Sequence, residues 1–275
     1  MGSGITQQAP SQQANVTITN QHKVVSNPVH GLVHSQYMKN MKKYGEQPSG
    51  AQLVQSLIHG NEHYRKNELY ADQRDQTKSG QTPSFIIVSC SDSRCSVPLL
   101  FNRPHLGAIF EIKSAGNCLD ATGIESIKYA IEHIEPPPKL IVVMGHTKCG
   151  AVTACYNSIC QEKHHKLRME FPSILNTIME PTRHNIEKFG TGNKDKVLAE
   201  ISEDNAKKQA QKVQFVFDEV LEKYGISVYA GMYDIDTGDV KFLKITDPDP
   251  KNDMTKQELE EMAKEAKQES SSGEK

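Results

Sequence analysis

Two short apolar runs constrain this chain more than any other feature. Phe85-Ile86-Ile87-Val88 leads into Ser89-Cys90-Ser91-Asp92-Ser93-Arg94, and Leu140-Ile141-Val142-Val143-Met144 leads into Gly145-His146-Thr147-Lys148-Cys149-Gly150. Each run has the length and β-branched content of a strand buried in a parallel sheet. Open α/β sheets build their sites where such strands end and the chain turns outward. Cys90, His146 and Cys149 can therefore converge on one metal ion. Two thiolates and one imidazole leave a fourth position free, which is the pattern of catalytic rather than structural zinc.

The rest of the chain reads as alternating strands and helices. A helix is expected over 49–67, with Ser49 as its N-cap. Gln81-Thr82-Pro83 turns the chain into a strand over 84–90, a short helix follows near 96–102, and a second strand near 107–113. Thr122-Gly123-Ile124-Glu125 has the form of a capping box opening a helix over 122–134, which Pro136-Pro137-Pro138 ends before a strand at 139–145. A helix begins at about Cys149 and reaches Cys160. Residues 170–222 read as helical with a break at Gly190-Thr191-Gly192, and two strand-like runs, 226–230 and 240–243, flank the turn Asp236-Thr237-Gly238-Asp239. This order gives an α/β class with a mainly parallel sheet. Three regions are expected: a polar arm over 1–45, a globular domain over 46–246, and a charged tail over 247–275 in which Thr255 caps a helix over 256–269.

Composition excludes several classes. The formal net charge is −2 with no basic stripe, which argues against nucleic acid. No apolar stretch approaches the roughly 18 residues needed to span a bilayer, and no secretory signal is visible. Six cysteines are too sparse for a disulfide scaffold in a chain of 275 residues, so the thiols suit a metal in a reducing, cytoplasmic setting. Mean hydropathy is low, −0.58, largely because both ends are polar. Beyond Cys90, Asp92 and Arg94 occupy alternate positions. Beside a dication, Asp92 can accept a hydrogen bond from metal-bound water while Arg94 keeps it ionised and oriented.

Cys90-Ser91-Asp92-Ser93-Arg94 and Gly145-His146-Thr147-Lys148-Cys149-Gly150-Ala151 resemble the two signature segments of the β-class carbonic anhydrases. The similarity covers roughly residues 50–245 and includes Ser114-Ala115-Gly116-Asn117 and Glu125-Ser126-Ile127-Lys128-Tyr129-Ala130. The resemblance implies a mainly parallel central sheet flanked by helices, with a C-terminal edge strand. It implies zinc on Cys90, His146 and Cys149, a catalytic Asp92–Arg94 dyad, and reversible hydration of CO2 to bicarbonate and a proton by zinc-bound hydroxide. It places Gln81, Phe110 and Tyr129 at the positions that line the CO2 pocket, partly across the interface of a homodimer or dimer-based oligomer. In some members the aspartate also closes onto zinc as an inactive fourth ligand.

The chemistry agrees with that implication. Zinc brings the pKa of bound water to about 7, so hydroxide is available at neutral pH. Phe110 and Tyr129 suit an uncharged substrate, and Gln81 has an amide to offer its oxygen. The chain departs from the family at Lys113, where many members carry arginine, and it has no tryptophan, which some bacterial members use in a regulatory bicarbonate pocket. Cys95, Cys118, Cys155 and Cys160 match no ligand position, and His105, His133, His164 and His165 are proton-shuttle candidates by type only. Two alternatives stay open: a carbonyl sulfide or carbon disulfide hydrolase on the same scaffold, and a non-catalytic zinc-binding protein.

Overall fold

The computed structural model describes residues 49–160, 170–243 and 245. The chain divides into two compact units, Met1–Lys66 and Asn67–Lys275. The expected arm over 1–45, the tail over 247–275 and its helix over 256–269 lie outside the described residues.

In the first unit the described part is helix α1, Gly50–Lys66. Ser49 caps it as its sequence predicts. The Ser49 hydroxyl accepts the Gln52 N–H at 3.3 Å while Gln52 Oε1 accepts the Ser49 N–H at 2.7 Å, a reciprocal capping box. Leu53, Val54, Leu57 and Ile58 form one apolar stripe, and all four are exposed.

The second unit opens with helix α2, Glu68–Thr77, capped by Asn67. The sequence reading leaves this segment without an element, and the structure shows why. Its one buried residue is Gln73, whose side-chain carbonyl accepts the Leu106 N–H at 3.0 Å. A helix anchored by a polar side chain shows no apolar period.

There follow β1 (Phe85–Cys90), α3 (Val97–Leu100), β2 (Ile109–Ser114), a 3₁₀ turn (Ala115–Asn117), α4 (Ala121–His133), β3 (Leu140–His146), α5 (Gly150–Cys160), α6 (Pro172–Phe189), α7 (Lys194–Tyr224), β4 (Ser227–Tyr233) and β5 (Val240–Leu243). The described strands form one sheet in the order β2-β1-β3-β4-β5. All neighbours pair in parallel except β4 and β5; β5 is the C-terminal edge strand that the resemblance implies, and it runs antiparallel to β4. Among the described residues no helix is long and apolar enough to cross a membrane.

Two hydrophobic cores sandwich the sheet, as the two-residue alternation of buried strands requires. Ile87, Val142 and Met144 face one core with Val152 and Tyr156 of α5 and Leu175 and Ile178 of α6. Ile86, Val88, Ile141 and Val143 face the other with Ile127 and Ile131 of α4. The 31-residue helix α7 serves both: Val197, Leu198 and Ile201 join the first core, and Ala210, Val213 and Phe217 the second.

The start of α4 corrects the expected cap. Asp120, not Thr122, is the N-cap, its Oδ1 accepting the Gly123 N–H at 2.8 Å. Thr122 lies inside the helix, with its carbonyl bonded to the Ser126 hydroxyl. Asp120→Ala should therefore cost about 1 kcal/mol. In a unit of this size that is a fall of about 2–4 °C in Tm, measurable by thermal circular dichroism.

Candidate metal centre

Parallel pairing brings the exits of β1 and β3 to the same edge of the sheet. Cys90 is the last residue of β1, His146 the last of β3, and Cys149 precedes α5. Their ligand atoms lie within 4.8 Å of one another, and all three residues are buried. The two sulfurs stand 4.0 Å apart. Two thiolates at the usual zinc distance of about 2.3 Å on a tetrahedron are about 3.8 Å apart, so the spacing fits the ion.

The histidine supplies the decisive observation. His146 Nδ1 hydrogen-bonds the Thr147 carbonyl at 2.9 Å, which fixes the ring and commits that nitrogen's proton. Nε2 is buried with no hydrogen-bond partner. A buried lone pair left unmatched beside two thiols is what a soft-to-borderline metal site requires, and the outer bond on Nδ1 is the usual orienting contact of a ligating imidazole.

The sulfurs differ in their surroundings. Cys90 Sγ receives the N–H groups of Gly116 at 3.3 Å and Asp92 at 3.4 Å. The hydrogen bond with Cys149 holds its thiol down to about 3, against the effect of burial, with His146 and these two amides helping. Cys149 is pushed far up, first as the donor to Cys90 and then by burial, while the amides of Val152 and Ala151 at the start of α5 pull the other way. Contacts with Cys90 and Cys95 raise His146 to about 10, although burial alone would lower it. A bound dication reverses this balance, since a coordinating thiol gives up its proton outright.

Asp92 and Arg94 form a geometrically complete pair at the rim. Arg94 Nε and Nη2 reach Asp92 Oδ1 and Oδ2 at 2.9 and 2.7 Å, and the Arg94 N–H adds a bond of 2.9 Å to Oδ1. These bonds hold the Asp92 carboxyl well below the usual carboxylate range, against the opposing effect of burial. Arg94 Nη2 also donates to the Lys148 carbonyl at 3.2 Å, tying the dyad to the His146–Cys149 loop. Lys148 itself sits at φ 57°, in the left-handed region, with its ammonium bonded to both oxygens of Asp236.

Gln81, Phe110 and Tyr129 are not brought to this cluster within one chain. Gln81 is exposed in the loop before β1, at the opposite end of that strand from Cys90. Phe110 pairs with Ile86, four positions before the Cys90–Ser114 pair, a distance of roughly 13 Å along the strand. Tyr129 is half-exposed on α4, stacked on the exposed His133 with centroids 5.4 Å apart. His105 is also exposed, and His164 and His165 lie outside the described residues.

Sequence reasoning missed the backbone contribution. Gly116 was visible only as part of a matched segment, and its N–H on Cys90 had no signal of its own. Lys113, the departure from the family pattern, donates to the Ser89 hydroxyl at 3.2 Å and the Cys95 carbonyl at 2.5 Å, bracing the exit of β1. Of the remaining thiols, Cys95, Cys118 and Cys155 are buried, as expected of core cysteines, and Cys160 is exposed. Burial pushes Cys118 up to about 12. A thiol-disulfide reagent applied to the native, metal-loaded protein at pH 8 should therefore label Cys160 first and leave Cys118 unmodified, with peptide mapping as the readout.

Residues 85–240 match the family model described as carbonic anhydrase, which is more than half the chain. The chain belongs to the β-carbonic anhydrase family. Carbonic anhydrase 2 of Mycobacterium tuberculosis is 39% identical over 88 residues, covering 32% of this chain and 41% of that protein. The chain thus spans about two-fifths of the length of that curated relative. A carbonic anhydrase of Candida albicans is 30% identical over 191 residues, covering 64% of this chain and 60% of its own. Among solved structures, the β-carbonic anhydrase CafA of Aspergillus fumigatus superposes with a TM-score of 0.57 at 21% identity, over 78% of this chain and 98% of that one. The β-carbonic anhydrase CcaA superposes with a TM-score of 0.60 at 23% identity. Both show that this chain has the β-carbonic anhydrase fold.

Proposed function

We propose that the protein hydrates CO2 reversibly to bicarbonate and a proton, with zinc held by Cys90, His146 and Cys149. The observation that carries this reading is the buried, unpartnered Nε2 of His146 beside two sulfurs at zinc-like spacing, with an anchored carboxylate at the rim. What zinc supplies once bound there is Lewis acidity, which makes water nucleophilic near neutral pH. The chain's own residues do the rest. The Thr147 carbonyl holds the imidazole tautomer that leaves Nε2 unprotonated. Asp92, ionised and clamped by Arg94, accepts a hydrogen bond from the attacking water and fixes the direction of its lone pair.

The substrate pocket is assigned to a dimer. Gln81, Phe110 and Tyr129 lie away from the ligands of their own chain, so we place them against the centre of a second copy. The exposed stripe Leu53, Val54, Leu57 and Ile58 on α1 supports association, since an apolar row of this kind is normally covered. Free thiols in a metal cluster fit a reducing compartment, and we assign the protein to the cytoplasm on that ground.

Stopped-flow CO2 hydration on protein of verified zinc content tests the assignment. Fast turnover is expected, and Arg94→Ala should lower it by about 10–100-fold while zinc content is unchanged, as for the loss of an orienting partner. Hydrolysis of carbonyl sulfide far exceeding CO2 hydration would overturn the substrate assignment. Full zinc occupancy without turnover at any pH from about 6 to 9, a range spanning the pKa near 7 expected for zinc-bound water, would point to a non-catalytic role.

A further inference from the structure

Helix α7 grips the segment after β2 at three positions. Asn205 Nδ2 donates to the Gly116 carbonyl at 2.8 Å, Gln209 Oε1 accepts the Leu119 N–H at 3.1 Å, and Lys212 Nζ donates to the Leu119 carbonyl at 3.0 Å. Spacings of four and three residues put these side chains on one helix face. Asn205 is fully buried and Gln209 nearly so.

What they hold is an unusual piece of backbone. Gly116 has φ +69°, in the left-handed region, and Asn117 follows at φ 48°. A Cβ on Gly116 would lie 2.7 Å from Ile178 Cδ1 and 3.1 Å from Ala151 Cβ, so any other residue would be strained by its φ and would have to displace the Ile178 side chain. Backbone of this kind persists where its surroundings over-determine it. The Gly116 N–H donates to Cys90 Sγ, and the Gly116 carbonyl receives Asn205. The residue is thus pinned on both sides, by a sulfur of the cluster and by a buried amide.

We infer that Asn205 is a positioning residue of the metal centre: by holding the Gly116 carbonyl, it keeps the Gly116 N–H on the Cys90 sulfur. This rests on the assignment of Cys90 as a metal ligand. An N–H···S bond draws charge from a thiolate and so sets how strongly that sulfur donates to its ion. Without Asn205 the buried carbonyl keeps only the long, weak contact from Cys118 Sγ at 3.6 Å, and the backbone at Gly116 has reason to turn. Gln209 holds the same segment three residues later, so its effect is in the same direction and smaller. The two sulfurs thus take amide contacts from different elements. Cys149 takes its amides from the start of α5, whereas Cys90 depends on a segment held from α7.

Cobalt(II) exchanged for zinc in the full-length protein gives the readout, because its thiolate-to-metal charge-transfer band reports sulfur donation directly. In Asn205→Ala the band should move to lower energy, because the sulfur no longer shares its charge with the Gly116 N–H, and a competing chelator should remove the metal about 10–100-fold more readily, because the segment that positions the sulfur is no longer held. Gln209→Ala should shift the band less, in the same direction, and decides the matter if the Asn205 variant does not fold. A purely structural role would lower thermal stability and leave the band in place. Folded variants with the parental band and metal affinity would therefore overturn the inference. A parent protein that binds cobalt without any thiolate band would overturn the ligand assignment beneath it.

Discussion

Replacing Cys149 by serine should leave a folded protein that has lost both its metal and its turnover. The serine hydroxyl is a poor ligand for a borderline ion, and the two ligands that remain come from different strands, with no third to close the shell. Loss of an outer-shell partner alone costs about 10–100-fold in affinity or activity, so loss of a ligand should cut CO2 hydration to well below a hundredth of the parent. Zinc content by mass spectrometry should fall with it. The fold should survive, because Cys149 is one small residue at the edge of a core built on Ile87, Val142, Met144 and Ile178. A variant that keeps stoichiometric zinc and parental turnover would remove Cys149 from the ligand set.

Gly145→Ala should have the largest effect on stability. A Cβ there would stand 2.7 Å from the Ser202 carbonyl oxygen and 3.3 Å from Ala206 Cβ. The nearest obstacle is the backbone of α7, which cannot move aside as a side chain can. Overpacking a tight interior typically costs about 1–3 kcal/mol. A clash with helix backbone belongs at the top of that range, which corresponds to a loss of roughly 6–12 °C in Tm. Because Gly145 precedes His146, any relief by shifting β3 also displaces a ligand, so zinc affinity should fall as well. Calorimetry and zinc titration on the same preparation would separate the two effects, and parental values in both would show that α7 yields at no cost.

The sequence was most informative where one local signal decides the structure. The runs 85–88 and 140–144 are strands buried on both faces, and the ligands they deliver follow at once. Ser49 marked the start of α1, and the Gly190–Gly192 break separates α6 from α7. The reading failed where the determinant is polar or distant. Helix α2 turns on Gln73, which no apolar period reveals, and Thr122-Gly123-Ile124-Glu125 imitates a capping box beside the real cap, Asp120. The same limit holds in the metal centre. Cys90, His146, Cys149, Asp92 and Arg94 sit in two contiguous segments, but the Gly116–Cys90 bond and the Asn205–Gly116 bond join residues 26 and 89 positions apart. Nothing in a linear pattern pairs such positions. Nor do Gln81, Phe110 and Tyr129 converge with the ligands inside one chain, so the pocket role proposed for them needs a neighbour that a single sequence does not display.

The placement of α7 in both cores bears on how the protein is made. A ribosome releases Cys90, His146 and Cys149 well before it releases Lys194–Tyr224. At about 5–20 residues per second the delay is several seconds. During that interval the nascent chain carries three exposed soft donors and neither core is closed, so the ligands are open to any thiophilic ion or oxidant in the cell. Only when the long helix emerges and docks on β3 and β4 can the sheet be sealed on both faces. On the proposed zinc assignment, selective loading has to wait for that closure, and its fidelity depends on how quickly the C-terminal third of the chain follows the rest.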